Sequence, residues 1–90
     1  MTRLEMEKIF SSEIPKDLEI DKGIYEFHSD GNKSIGVSYE HFLDKNEEYS
    51  AGYIFNLFLE DEYINIDGVF DTPEEGIGVV TEMWNSHRCR

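Results

Sequence analysis

The sequence predicts an α+β fold: a four-stranded antiparallel meander with a short N-terminal helix and a longer C-terminal helix, in the order α-β-β-β-β-α. Three observations predict it. A Thr-x-x-Glu start precedes an apolar i, i+3, i+4 stripe near the N-terminus; four runs rich in aromatic and β-branched residues fill the middle; and a Thr-Pro-Glu-Glu start opens a second apolar stripe near the C-terminus.

The first helix is expected over about Arg3 to Ser12. Thr2 and Glu5 have the spacing at which a hydroxyl and a carboxylate each satisfy a backbone donor at a helix start, and Met6, Ile9 and Phe10 make one apolar face. Pro15 biases Ile14 toward an extended conformation, so the helix should end before it. Asp17 to Lys22 reads as a connection or a frayed strand. Ile24, Tyr25 and Phe27, the turn-forming Ser29-Asp30-Gly31-Asn32, and the alternation of Ile35, Val37 and Tyr39 against Ser34, Gly36 and Ser38 predict a hairpin with strands near 23–29 and 33–41.

Phe42 to Ser50 reads as a polar connector. The most apolar run, Gly52 to Leu59, follows, then Glu60-Asp61-Glu62 and a second alternating run from Tyr63 to Phe70. Tyr49, Tyr53 and Leu57 would also share a helix face, but aromatic and β-branched content favours strands. Two more antiparallel strands joined at Glu60 to Glu62 are predicted. The last helix is expected from about Pro73 to His87: Thr72 as N-cap, Pro73 at the first helical position, Glu75 completing the box, and Ile77, Val80, Met83 and Trp84 as the buried stripe. Arg88 and Arg90 would then lie near the negative end of the helix dipole. Gly76 and Gly78 in its first turns point to close packing on the sheet or to a weak start. Both helices are most simply placed on one sheet face, which leaves the other open to solvent or to a partner.

Size and charge bound the function. Ninety residues make one domain, 1–90, and its twelve aromatic rings supply a core despite a formal net charge of −12. A monomer or small homodimer is expected. The single cysteine, Cys89, the absence of an 18-residue apolar run and the polar N-terminus fit a cytoplasmic setting. The charge is uneven: residues 1–45 hold ten acids and six bases, whereas residues 46–87 hold ten acids and no Lys or Arg. Such a field repels nucleic acid and anionic lipid and attracts basic proteins, so neither direct nucleic-acid binding nor membrane binding is expected.

Catalytic chemistry finds no foothold in the sequence, and an enzyme is not expected. Gly76-Ile77-Gly78 lacks the third glycine and the basic residue of a phosphate loop, and Glu74 and Glu75 beside it would repel phosphate. Asn65, Asp67 and Gly68 do not fit a calcium loop. His28 with His41, and His87 with Cys89, lack further ligands at metal spacing, so no metal or cofactor is expected.

The segment Thr72-Pro-Glu-Glu-Gly-Ile-Gly-Val-Val-Thr-Glu-Met-Trp84 is faintly similar to a helix of the colicin DNase immunity proteins, in which a Pro-Glu-Gly-Ile start leads to a Glu and a Trp. The resemblance covers 13 of the 90 residues. Those proteins are all-helical with a paired-tyrosine motif, whereas this chain reads mostly as strand, so their binding residues are not carried over.

The sequence thus points to an acidic binding protein that occupies the nucleic-acid groove of a basic partner, a nuclease or effector complex, in the manner of anti-restriction, anti-CRISPR or toxin-antidote proteins. The candidate contact residues are Glu47, Glu48, Tyr49, Glu60, Asp61, Glu62, Tyr63, Asp67, Asp71, Glu74 and Glu75. The acids would stand in for phosphates, while aromatic rings, Tyr53 among them, would anchor the contact. The alternative is a protein–protein interaction module that uses an exposed sheet face, with acidity serving solubility alone.

Overall fold

Residues 1–87 are described by a computed structural model, and the elements follow the predicted order α-β-β-β-β-α. Helix α1 (Arg3–Glu13) starts from the expected box: the Glu5 N–H donates to Thr2 Oγ1 at 3.1 Å, and the Thr2 N–H donates to the Glu5 carboxylate at 3.0 Å. The pair uses donors that the first turn leaves idle. The Thr2 backbone N–H foremost, and then the Thr2 side chain, hold the Glu5 carboxyl below its usual range. Ile14 then turns extended at φ −88° and ψ 121°, as a residue before proline is biased to do.

Strands β1 (Tyr25–Asp30), β2 (Lys33–Leu43), β3 (Tyr49–Phe58) and β4 (Tyr63–Phe70) form one antiparallel sheet whose spatial order repeats the chain order. The segment read as a connection or frayed strand gives one rung, a parallel bridge from Ile20 to Tyr39. The connector expected over Phe42–Ser50 is shorter than predicted. Phe42 pairs with Ser50 and Leu43 with Tyr49, and the Asp44 carboxylate closes the turn by accepting from the N–H groups of Asn46 and Glu48 at 2.8 and 3.1 Å. A short polar side chain that caps its own turn lets the flanking aromatics stay in the ladder.

The C-terminal segment departs from a single helix. Pro73–Gly76 forms a 3-10 turn, and α2 (Ile77–Ser86) begins after it. The predicted Thr72–Glu75 box does not form: the Thr72 side chain makes no cap, and the Glu75 carboxylate accepts from the Asp71 N–H at 3.2 Å instead. The segment exceeds α1 in length only with the 3-10 turn included, since α2 has 10 residues, the turn 4 and α1 11. Gly76 lies where the turn presses on the sheet. A Cβ there would stand 2.5 Å from Cε2 of Phe55, so the close-packing explanation holds at this glycine.

Both helices cover the same sheet face. Met6 and Phe10 from α1, Ile14 just after it, and Ile77, Val80 and Trp84 from α2 meet Ile35, Val37, Phe55, Leu57 and Ile66 in one buried cluster. A bulge between Glu26 and His28 adds Phe27 to this side. Its ring packs edge-on against Phe10 at 5.3 Å, and Phe10 stacks on Phe55 at 5.4 Å. Such contacts contribute about 0.5–1.5 kcal/mol each beyond area burial.

Arg88 and Arg90 lie outside the described residues. Among the described residues, a cation from the first hairpin lies at the C-terminal end of α2. Lys33 is 6% exposed; its Nζ donates to the carbonyls of Trp84 at 2.8 Å and His87 at 2.6 Å and sits 4.1 Å from the Trp84 ring centroid. These are carbonyls that a helix end leaves without intrahelical donors, and the ammonium also opposes the negative end of the dipole.

Candidate partner-binding surface

The sheet order makes β4 an edge strand. Its residues therefore have a neighbour on one side only, and the acids in and around it are displayed along a border. Glu60, Asp61 and Glu62 form the turn that enters β4, Asp67 lies within it, Asp71 follows it, and Glu74 and Glu75 stand on the 3-10 turn beyond. All seven are exposed. At about 3.3 Å per strand residue, the eight residues of β4 set these two acidic ends roughly 25 Å apart.

A bulge shapes the border. Phe55 pairs with Ile66 and Tyr53 with Phe70, so four steps on β4 match two on β3, and Gly68 takes φ 117°. That conformation suits glycine, and the bend it brings spoils the edge for further strand pairing.

Glu47, Glu48 and Tyr49 are exposed but are not gathered with the rest. They occupy the tip of the β2–β3 hairpin, which runs past the end of β4: Phe70 pairs with Tyr53, and Glu48 lies five residues further, roughly 17 Å along the strand. At this tip the Tyr49 ring lies 5.8 Å from that of His41, and His41 Nδ1 pairs with the Asp21 carboxylate. The tip is a second, separate acidic point.

Neutralisation by the protein's own bases is slight. Among the described residues, the ion pairs Arg3–Glu7, Lys22–Glu19 and His41–Asp21 involve none of the eleven candidates. Glu60 accepts a hydrogen bond from Asn32 Nδ2 at 3.3 Å, which ties its turn to the β1–β2 turn.

The tyrosines separate. Tyr63, 60% exposed, lies opposite Phe58 on the sheet face away from the helices, with ring centroids 5.8 Å apart and planes 20° off parallel. Tyr53 is not the surface anchor expected from sequence. It is half-buried on the helix-covered side, stacked on Tyr39 at 4.5 Å, in a cleft of about 420 Å³ lined also by Phe10, Ile14, Pro15, Pro73 and Glu74. Burial first, and then Tyr39 and Glu74, push its hydroxyl pKa above the usual value.

Sequence reasoning named the open sheet face without naming its residues. On it, Gly36 is overhung by Ile24 and Phe58: a Cβ would stand 2.5 Å from Ile24 Cγ2 and 3.4 Å from Phe58 Cε2. Gly52 is overhung in the same way by Val69, with Phe42 alongside. The signal available beforehand was a glycine at an outward position in each of two central strands, which is where neighbouring side chains fold over the backbone. Between these apolar bands, Ser38 and Asn56 are buried, and the Ser38 hydroxyl donates to the Glu40 carboxylate at 2.7 Å.

Comparison with known protein families, with curated proteins and with solved structures finds no match to this chain.

Proposed function

We propose that the protein is a non-enzymatic acidic inhibitor that binds a basic, nucleic-acid-handling protein, a nuclease or effector complex, and occupies its nucleic-acid groove. The observation that carries the reading is the alignment of Glu60, Asp61, Glu62, Asp67, Asp71, Glu74 and Glu75 along the β4 border and its two ends, all of them exposed. A groove lined with Lys and Arg to hold phosphates meets here two clusters of carboxylates joined through Asp67. Asp67 lies in the sheet and the other six acids on the turns at either end of β4, and acids carried by a folded domain lose less conformational freedom on binding than a flexible acidic tail does. The tip acids Glu47 and Glu48 would reach a second basic site on the same partner. The proposal places the protein in the cytoplasm as a monomer or small homodimer. Among the described residues no helix is long and apolar enough to cross a membrane.

The test is capture of partners at low and high salt, with DNA and RNA as competitors. The expected result is a basic nucleic-acid-handling protein that is retained at low salt, released at high salt and displaced by nucleic acid. Replacement of Glu60, Asp61 and Glu62 by Lys should abolish capture; unchanged affinity in that variant overturns the reading.

A second reading is favoured by the exposed Ile24, Tyr63 and Val69: an interaction module that binds through its open sheet face, with acidity for solubility. It predicts capture that is indifferent to salt.

A further inference from the structure

We infer that the outer band Ile24–Phe58–Tyr63, with Glu60, Asp61 and Glu62 at its β4 end, is a docking surface for an arginine-bearing patch of a basic protein. The inference rests on the reading above for the sign of the partner and adds where, and through which side chain, contact is made.

The outer sheet face is the one large face that neither helix covers. Ile24 and Phe58 close over Gly36, and Phe58 continues into Tyr63, so one apolar band crosses the sheet from the β1 side to β4. Ile24 is 46% and Tyr63 60% exposed. The face carries Glu26 and Glu40 among its outward strand positions and no Lys or Arg: Lys33, at the start of β2, is turned to the other side and bonded to the end of α2.

Charge complementarity selects the occupant. A second copy would bring a face of the same sign from a chain of net charge −12, and nucleic acid or anionic lipid would be repelled likewise. Among cations, arginine fits better than lysine. Its planar guanidinium stacks on an aromatic face while its N–H fork pairs with carboxylates, whereas an ammonium is a hydrated point charge. An exposed tyrosine ring next to three carboxylates, one of them steadied by Asn32, offers both contacts at once.

The experiment follows backbone amide shifts of the isotopically labelled full chain during titration with oligoarginine and oligolysine peptides of equal length. With oligoarginine, the largest shifts should centre on Phe58 and on Glu60 through Tyr63, and affinity should exceed that for oligolysine by about two- to fivefold, the range of an exposed cation–π contact. Tyr63→Ala should bring the two peptides level. Tyr63→Phe, which keeps the ring, should preserve the difference and controls for folding, and Glu82→Lys, an exposed acid on α2, should leave it intact. Shifts spread evenly over Glu47, Glu48, Glu74 and Glu75, equal affinity for the two peptides, no shifts, or concentration-dependent shifts of this face without peptide would each overturn the inference. A captured basic partner lost with the Glu60–Glu62 reversal but indifferent to Tyr63→Ala would sink this inference alone. Arginine selectivity at Tyr63 without any nucleic-acid-handling partner would sink the inhibitor reading alone.

Discussion

The two faces of the sheet are built from the same four strands and solve opposite problems. The inner face meets two helices, and it is filled by rings and branched chains that interlock around Phe55. The outer face meets no helix, and its central strands carry glycine, serine and asparagine, with neighbouring side chains leaning across the glycines. Backbone alternation dictates that each strand serve both roles. The difference teaches that burial alone does not identify the core. Ser38 is 1% and Asn56 5% exposed, yet both lie on the outer side, which neither helix covers.

The sharpest way to break this contrast is to truncate matched phenylalanines. Phe55→Ala on the inner face should cost about 3–5 kcal/mol, because the fully buried ring leaves a cavity between sheet and helices. Phe58→Ala on the outer face should cost markedly less, and urea unfolding of both variants measures the gap. Equal losses would mean that the outer band is as structural as the core.

Lys33→Met tests the cation that, among the described residues, is buried on the inner side. It keeps most of the chain's volume but leaves the Trp84 and His87 carbonyls without their donor, with an expected loss of about 1–3 kcal/mol. Fraying of the last turn of α2 should show in hydrogen exchange. Gly76→Ala should cost a similar amount, about 1–3 kcal/mol, since its methyl would strike Phe55. A stabilised variant would show that the ring has room to move.

At the small end lies the α1 cap. Thr2→Ala should cost about 1 kcal/mol. Because the Glu5 carboxyl is held below its usual range in the fold, its contribution is complete above the ordinary carboxylate pKa. It is lost as pH falls through the lowered value, so α1 helicity followed by circular dichroism should decline on the acid side of that range. Reversal of Glu60, Asp61 and Glu62 to Lys should change stability least, within about 0.5 kcal/mol per site. Each reversal adds two units to the net charge of −12, giving −6, and relieved repulsion offsets the lost Asn32 contact.

Local chemistry made some elements legible and hid others. The Thr2–Glu5 box and the alternation through Ile35, Val37 and Tyr39 depend on neighbours in sequence, and both formed as read. The Thr72–Glu75 box has the same spacing and failed, because the segment is pressed onto Phe55, a residue 21 positions before Gly76. Phe42 and Tyr49 read as connector because nothing local announces that Asp44 closes the turn between them. The candidate surface divides along the same line. The acids were visible as a run without bases, whereas the separation of Glu47 and Glu48 from the other seven depends on how far β2 and β3 outrun β4. Tyr53 and Tyr63 looked equivalent until pairing put them on opposite faces.

Lys33 reaches across 51 residues to Trp84, which ties the last turn of α2 to the closing of the first hairpin. Until the first hairpin closes in its native register, the final helical turn has no ammonium to receive its carbonyls, and a slip of one position would aim that side chain at solvent. Order in the last turn of α2 is therefore a remote readout of correct strand alignment in the first hairpin.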